Sequence, residues 1–197
     1  MLYMSHLEIT TDIIVFYHAN CADGFTSAWA AWKKFGNTAS YIPMKQGEDV
    51  PEYVDDREIY VVDYNFNAEK LAELESRARR LVCIDHHEGA KEYVENVKEH
   101  VYDSTHSGAY LTWKYFFPEK PVPTLVEYIE DQDLYTFTLP YSHEVCMYLS
   151  TFEFDFETFS TLAEKLDDTE QFQNIVEQGK LLMKYRDRVI APVLKDI

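Results

Sequence analysis

The sequence has few of the residues on which small secreted or fibrous proteins depend. Its 197 residues include three cysteines, six glycines and seven prolines. The cysteines, Cys21, Cys83 and Cys146, are odd in number and widely spaced, which argues against a disulfide framework and against a CxxC zinc site. The scarcity of glycine and proline, with an apolar content of 46%, argues against collagen-like and disordered chains. We therefore expect a folded protein of a reducing compartment, the cytoplasm.

Basic residues and long apolar runs are also scarce. Lys and Arg number 18 against 35 Asp and Glu, which gives a formal net charge of -17. Such a surface repels a long nucleic acid duplex, so we expect no duplex partner. No apolar run approaches the ~18 residues that span a bilayer, and the amino-terminal segment MLYMSHLEITTD has no signal-peptide pattern. We expect no membrane partner, and a small anionic ligand only where cations reverse the local field.

The order of apolar and amphipathic segments predicts an α/β fold. Four segments have the pattern of strands, at residues 12–18, 39–45, 57–65 and 81–84. Two segments between them have helical spacing, at residues 25–36 and 67–80. Strands that alternate with helices predict a parallel sheet with helices on both faces. From residue 89 onward the pattern is mainly helical.

The carboxyl-terminal half ends in a predicted long helix. Apolar residues recur on one side of the segment from about Thr169 to Lys195. We therefore expect a main domain at residues 1–168 and a linker-like helix at residues 169–197. Such a helix often projects toward a partner subunit or a following domain, so a homo-oligomer formed through it is one expectation.

Chemically active side chains follow the predicted strands and one helix. The clusters are His18 with Asn20, Cys21 and Asp23, then Asp63, then Asp85 with His86 and His87, and then Asp131 with Asp133. In a parallel sheet the strand ends meet at one rim, so distant side chains can converge on one cleft. Carboxylates suit Mn²⁺ and Mg²⁺, imidazole shifts the preference toward Mn²⁺, Fe²⁺ or Zn²⁺, and two ions ~3.5–4 Å apart can activate water. Each cluster alone also fits a turn, a cap or a solvated face, but their joint occurrence favours a metal centre.

A second candidate feature is the segment STHSGA, residues 104–109. Ser107 and Gly108 open a predicted helix, and the N–H groups at the start of a helix suit an anion. The alternative is an ordinary cap with close packing at Gly108. The sequence leaves both alternatives open.

Taken in order, these motifs resemble a known family. YHANCADGFTSAWAAW, VVDYNF, VCIDHHEGA and YIEDQDLYTF look like successive motifs of the DHH phosphoesterase superfamily, named after its Asp-His-His triplet. The resemblance extends over about residues 12–190. It implies a DHH-type catalytic domain that acts as a phosphodiesterase or phosphohydrolase, with two divalent ions, typically Mn²⁺, that activate water. Mg²⁺, Fe²⁺ and Zn²⁺ remain alternatives.

The resemblance also implies a role for the residues of the first, second and last motifs. His18 and Asp23 are similar to metal ligands of the first motif. Asp63 is similar to the Asp that bridges both ions and takes part in catalysis. Asp131 is similar to the last metal ligand, although Asp133 is close enough in sequence to exchange roles with it.

The triplet carries three further implied roles. His86 resembles the metal-binding His, and His87 resembles the catalytic His nearer the substrate phosphate. Asp85 resembles a catalytic partner that either orients a histidine or binds a metal. The resemblance therefore implies His87 as a substrate-binding residue, and Ser107 and Gly108, at the predicted helix start, are candidate substrate-binding helpers.

The chain departs from the family pattern in two ways. Cys21 stands where the first motif usually has Asp. It either binds a softer metal, takes no part in metal binding, or indicates that one of the two metal sites is only weakly occupied. Many members also continue into a smaller Gly-rich domain, and we expect this chain to lack one. The sequence thus implies a small nucleotide or short oligonucleotide as substrate. The alternative is a non-hydrolytic nucleotide-binding or sequestering protein on a degenerate DHH fold.

Overall fold

A computed structural model of the chain describes residues 9–195. Most of the segment that carries the targeting prediction, and the last two residues of the predicted linker helix, lie outside the described residues. Contacts divide the chain into two compact units, one that ends at Pro118 and one that begins at Glu119. The boundary predicted between residues 168 and 169 falls inside the second unit. Within the described part, the helices are too short or too polar to cross a membrane.

The described residues of the first unit form a parallel sheet of five strands. In chain order these are β1 (Ile13–His18), β2 (Ala39–Met44), β3 (Glu58–Val62), β4 (Arg80–Asp85) and β5 (Glu99–Tyr102). Their spatial order is β2-β1-β3-β4-β5, and each neighbouring pair is parallel. The predicted parallel α/β fold is therefore confirmed.

Helices cover both faces of the sheet, as the sequence predicts. They are α1 (Ala22–Phe35), α2 (Ala68–Arg77), α3 (Lys91–Glu95) and α4 (Gly108–Phe116). Strand residues alternate between two apolar cores: Phe16 packs in a core that α2 and α3 complete, and Val15 packs in a core that α1 and α4 complete. This alternation follows from the two-residue period of a strand. Both faces of the sheet are thus buried, as a parallel sheet requires.

The strand order creates a crevice between β1 and β3. The chain leaves β1 through α1, on one face of the sheet, and leaves β3 through α2, on the other face. Connections that diverge in this way open a gap at the carboxyl ends of the two strands, which is where open α/β sheets bind ligands. His18 ends β1 and Asp63 directly follows β3. The topology therefore brings two of the predicted site residues to the two sides of this gap.

Two local predictions in the first unit were wrong. Residues 89–100 were expected to be helical, but only the short helix α3 forms there, and β5 begins at Glu99. The helix α1 begins at Ala22, so Asp23 and Gly24 lie in a helix and not in a turn. A Cβ on Gly24 would lie 2.8 Å from the Cβ of His18, so this glycine permits the close crossing of α1 over the end of β1.

The described part of the second unit is helical, as predicted. Its helices are α5 (Thr124–Asp133), α6 (Ser142–Leu149), α7 (Phe156–Asp167) and α8 (Thr169–Lys195). The long helix predicted from Thr169 to Lys195 is confirmed, whereas α6 was not predicted. Gly179 lets α8 approach α6, because a Cβ at this position would collide with the backbone of Glu144.

Candidate metal centre

Asp63 lies at the centre of a group of carboxylates and imidazoles at the carboxyl edge of the sheet. Its side chain is only 1% exposed. Its backbone N–H donates to the carbonyl oxygen of Ile84 at 2.9 Å, and its φ of 49° lies in the left-handed region. Few non-glycine residues adopt this conformation, and those that do concentrate at functional sites, where the surrounding structure holds them.

The carboxylate of Asp63 is buried without a hydrogen bond. Among the described residues, neither of its oxygens has a hydrogen-bond partner. The imidazole nitrogens around it are Nε2 of His86, 3.2 Å from Oδ1, Nδ1 of His87, 3.9 Å from Oδ1, and Nδ1 of His18, 3.9 Å from Oδ2. Burial, followed by the nearby acidic groups, raises the pKa of Asp63 well above its usual value. A buried carboxylate of this kind is unfavourable unless a cation offsets its charge, so its environment fits a divalent metal ion.

Asp85 ends β4, and its carboxylate holds the two histidines of the triplet in place. Its Oδ1 accepts hydrogen bonds from the backbone N–H groups of His86 and His87, at 2.7 and 3.2 Å, and lies 2.7 Å from Nδ1 of His87. Its Oδ2 accepts from the side-chain amide of Asn65 at 3.2 Å. Burial of Asp85 opposes ionisation, but the hydrogen bonds from the triplet outweigh it and lower the pKa of the carboxyl. With both oxygens engaged, Asp85 fits the orienting role better than the predicted role of a metal ligand.

The two histidines predicted to bind metal, His18 and His86, meet Asp63 from different strands. His86 follows β4, and its Nε2 lies 3.8 Å from Oδ2 of Asp23 as well as close to Asp63. Burial lowers the pKa of His86, and burial together with the nearby His87 lowers the pKa of His18. Both shifts favour neutral imidazole, which is the form that binds metal ions.

The start of helix α4 holds Asp23. The backbone N–H groups of Gly108 and Ala109 donate to the two carboxylate oxygens of Asp23, at 2.7 and 3.1 Å, and the side chain of Ser107 accepts from the N–H of Tyr110. A Cβ on Gly108 would lie 2.5 Å from the Cβ of Asp63. The structure thus favours the cap and close packing for Ser107 and Gly108. Their predicted substrate-binding role does not fit N–H groups that already bind a carboxylate.

Two groups of candidate ligands in the first unit share one residue. One comprises Asp63, Asp85, His86 and His87, and the other comprises His18, Cys21 and Asp63. Within each group, one donor atom per residue lies within 4.8 Å of the others. Asp63 belongs to both groups, and a carboxylate has two oxygens, so this arrangement suits a pair of divalent cations with Asp63 between them.

Asp131 belongs to the second unit, where its carboxylate organises a loop. It accepts hydrogen bonds from the hydroxyl of Thr136 at 2.6 Å and from the N–H of Thr138 at 2.8 Å. Burial raises the pKa of this carboxyl, but the hydrogen bonds from Thr136 and from the backbone of Thr138 and Leu139 outweigh burial and lower it. The role of Asp131 as the last metal ligand, and its exchange with Asp133, stay predictions.

A cavity of about 400 Å³ opens beside the metal-ligand groups. Its lining consists of His18, Gln46, Asp63, Tyr64, Asn65, Asn67, His87, Glu88, Gly89, Ala90 and Tyr93. None of these residues is Lys or Arg, so positive charge for an anionic ligand must come from bound cations or from a protonated histidine. His87, with a side chain 44% exposed, is the most accessible member of the triplet.

Sequence reasoning missed several residues of this cavity. Asn65 was within reach, because it follows Asp63 by two positions in the quoted motif VVDYNF. Gln46 was also within reach, because it directly follows the strand predicted at residues 39–45. Tyr93 carries no such signal, since it lies in a segment without a predicted strand end and reaches the cavity only through the fold.

Three comparisons place these observations among known proteins. The sequence matches the DHH family, N-terminal domain, over residues 12–135. The uncharacterized protein R106 of Acanthamoeba polyphaga mimivirus is 26% identical over 199 residues, which cover 92% of this chain and 46% of that protein. A crystal structure of an uncharacterized protein from Helicobacter pylori G27 has a similar fold, with a TM-score of 0.57 at 15% identity, over 88% of this chain and 56% of that one.

A more distant similarity is to RecJ in complex with Mn²⁺ from Thermus thermophilus. Its TM-score is 0.42 at 15% identity, over 94% of this chain and 37% of that one. The chain therefore spans about half the length, or less, of the relatives it matches.

Proposed function

Because this chain belongs to the DHH family, as the match over residues 12–135 shows, we propose that it is a metal-dependent phosphoesterase that hydrolyses a small nucleotide or a short oligonucleotide. One observation carries the proposal: the buried carboxylate of Asp63 has no hydrogen-bond partner among residues 9–195 and belongs to two groups of side chains that could hold a metal ion. A site of that kind suits two divalent cations. The family supplies the reaction class, phosphoester hydrolysis.

We propose that Asp63 contacts both cations. His18 and Cys21 would hold one of them, and His86 would hold the other. Carboxylate and imidazole around His86 suit Mn²⁺, which we propose as the cation there. When bound, such cations acidify water and neutralise charge on phosphoryl oxygens.

The residues of the chain itself position the substrate and a proton. Nδ1 of His87 is bonded to Asp85, so His87 can contact a phosphoryl oxygen only through Nε2. The ionised Asp85 holds the proton on Nδ1 and stabilises the imidazolium form of the ring, which is a hydrogen-bond donor for an anionic oxygen. Asn65 keeps Asp85 in place through its second oxygen. Together these contacts favour binding of a phosphate group at the mouth of the cavity.

The cavity supports a small substrate. Its volume of about 400 Å³ lies within the range of roughly 300–1,000 Å³ that is typical of small-molecule sites. Tyr64 and Tyr93 contribute aromatic rings to the lining, and a nucleobase can stack on such rings. The acidic surface disfavours a long duplex, because few cations are present to neutralise its backbone.

The test is an assay of the chelator-treated full chain, resupplied with Mn²⁺, against nucleoside monophosphates, dinucleotides and chromogenic phosphodiesters. We expect turnover that Asp63→Asn reduces on the order of 100-fold or more. Asp56→Asn is the matched control, because Asp56 is an exposed aspartate that also has a left-handed backbone, with φ 55°. No turnover with Mn²⁺, Mg²⁺, Fe²⁺ or Zn²⁺ would refute the proposal. Tight binding of a nucleotide that is recovered intact would instead support the sequestering alternative.

A further inference from the structure

We propose that Cys21 is a metal ligand, and that it makes the half of the centre formed with His18 and Asp63 selective for a thiophilic divalent cation, Zn²⁺ or Fe²⁺, over Mn²⁺ and Mg²⁺. The two halves of the centre would then hold different metals. This assignment rests on the proposed function for the existence of a metal centre. It goes further because it names Cys21 as the ligand that gives the two halves different metal preferences.

Geometry supports a three-residue site. A nitrogen of His18, the sulfur of Cys21 and a carboxylate oxygen of Asp63 all lie within 4.8 Å of one another. Around a tetrahedral Zn²⁺, with Zn–S near 2.3 Å and Zn–N near 2.0 Å, neighbouring ligand atoms stand about 3.5 Å apart. Small side-chain rotations close the difference. Three protein ligands with one open position is also the arrangement of catalytic zinc sites.

Asp63 gives independent evidence that a cation belongs at this place. Its carboxylate is almost fully buried, and its Oδ2, on the side of His18, accepts no hydrogen bond from the described residues. An unbonded buried carboxylate that faces an imidazole and a thiol is a charge that the fold alone does not compensate. A divalent cation held among the three side chains provides the compensation.

The identity of residue 21 is not explained by helix stability. Cys21 is the N-cap residue of α1, and its side chain makes no capping hydrogen bond. Asp, Asn, Ser and Thr are the side chains that stabilise this position, and Cys is not among them. The thiol therefore occupies a place where an oxygen side chain would serve the helix better. Metal coordination accounts for a sulfur at this place, because the sulfur lies within 4.8 Å of a nitrogen of His18 and a carboxylate oxygen of Asp63.

The chemistry of the donors decides which metal is preferred. Thiolate selects soft and borderline cations, whereas carboxylate and carbonyl oxygens suit Mg²⁺ and Mn²⁺. The half-site with Cys21 offers sulfur, nitrogen and oxygen, and the half-site with His86 offers only nitrogen and oxygen. The first half-site is therefore the one that discriminates against Mn²⁺ and Mg²⁺.

The other two cysteines have different surroundings and serve as controls. Cys83 faces the apolar core between β4 and α2, and Cys146 is buried in the second unit. Burial raises the pKa of both thiols, that of Cys146 to about 11. Neither belongs to a ligand group with Asp63. Their thiols should therefore not respond to a metal bound at Asp63.

Absorption spectroscopy with Co²⁺ tests the assignment without an activity assay. The chelator-treated full chain is titrated with Co²⁺ under reducing, anaerobic conditions, and the thiolate-to-Co²⁺ charge-transfer band in the near ultraviolet is recorded. We expect a band that saturates at one Co²⁺ per chain, disappears in Cys21→Ala and persists in Cys83→Ala and Cys146→Ala. Circular dichroism confirms that each variant is folded. No band in the unmodified chain, or a band that survives Cys21→Ala, would overturn the assignment.

A second variant tests selectivity. Cys21→Asp replaces sulfur by oxygen, and we expect the ratio of Zn²⁺ to Mn²⁺ affinity, measured by competition, to fall at least about tenfold. An unchanged ratio would contradict a coordinating Cys21. The two proposals fail separately: a Co²⁺ band without turnover of any substrate removes the phosphoesterase and leaves Cys21 as a ligand. Turnover with Mn²⁺ but no Co²⁺ band removes Cys21 as a ligand and leaves the phosphoesterase.

Discussion

Replacement of Asp63 by asparagine should change the stability of the protein in opposite directions with and without metal. In chelator, the buried carboxylate has no hydrogen bond among the described residues, and its charge lies close to other acidic groups. Asparagine keeps the shape of the side chain and removes the charge. In the presence of Mn²⁺, the same carboxylate would be the ligand common to both proposed half-sites. Asp63→Asn should therefore be more stable than the unmodified protein without metal and less stable with it.

The magnitude follows from the burial of the group. A buried acceptor without a partner destabilises by about 1–3 kcal/mol, and a charged one by more. For a chain of this size, 1 kcal/mol shifts the melting temperature by about 2–4 °C, so Asp63→Asn should raise the metal-free Tm by several degrees. Mn²⁺ at 100 times its Kd stabilises the unmodified protein by about 2.7 kcal/mol. Asp63→Asn should gain little of this stabilisation from Mn²⁺.

The pH dependence of stability in the metal-free protein is a second test of the uncompensated Asp63 carboxylate. The pKa of Asp63 is raised in the folded state above its usual value of 3.8. The folded state therefore binds this proton more tightly than the unfolded state does, and the protein loses stability as the pH rises from about 4 through the folded-state pKa. This part of the pH dependence should be absent in Asp63→Asn.

The assay is thermal denaturation followed by circular dichroism, at several pH values, in chelator and in a Mn²⁺ series. Asp56→Asn controls for the loss of one surface charge and should follow the unmodified protein in every condition. If Asp63→Asn gains as much stability from Mn²⁺ as the unmodified protein does, the metal does not bind at Asp63 and the reasoning is refuted. A lower metal-free Tm in Asp63→Asn would equally contradict an uncompensated charge.

Three further predictions concern the residues around this carboxylate. Gly108→Ala should lower both the Tm and the Mn²⁺ affinity, because its Cβ would lie 2.5 Å from that of Asp63, whereas Gly89→Ala has open space and should change neither. Asp85→Asn should destabilise by about 2–4 kcal/mol, since hydrogen bonds to a charged acceptor are lost. The low pKa of Asp85 means that its stabilisation is present above its unfolded value and is lost as the pH falls through the folded-state pKa, as a pH series of melting curves will show. Asn65→Leu should reduce kcat by about 10–100-fold and also lower the Tm, because it removes the hydrogen bond to one oxygen of the buried Asp85, and an unchanged kcat would remove Asn65 from the site.

The parts of the fold that the sequence predicts correctly are those with strong local patterns. β1, β3 and β4 are runs of buried apolar residues, and α2 and α8 have clear helical spacing. β5 lacks such a pattern, because the segment Glu99–Tyr102 is only partly buried and becomes a strand by pairing with β4. Pairing with a distant partner is not visible in a local window.

The motifs determine which chemical groups the site has available. Carboxylates and imidazoles that follow β1, β3 and β4 were predictable, because the ends of parallel strands lie along one edge. The roles of these groups were harder to predict from the sequence. Asp23 accepts hydrogen bonds from Gly108 and Ala109, which are more than 80 residues away along the chain, and no periodicity in the sequence reports that contact.

The sequence by itself determined the candidate donor atoms of this protein: three histidines and two aspartates that end or follow strands, one aspartate in the helix after β1, and a cysteine in place of an acid. Only the tertiary structure decided which of these atoms make hydrogen bonds within the protein and which remain available to a metal ion. It joins Asp85 to His87 and Asn65, ties Asp23 to the start of α4, and leaves Asp63 buried between two groups of ligands. The physical reason is that the strength of a hydrogen bond or an ion pair depends on distance and burial, and both are set by which strands are neighbours in the sheet.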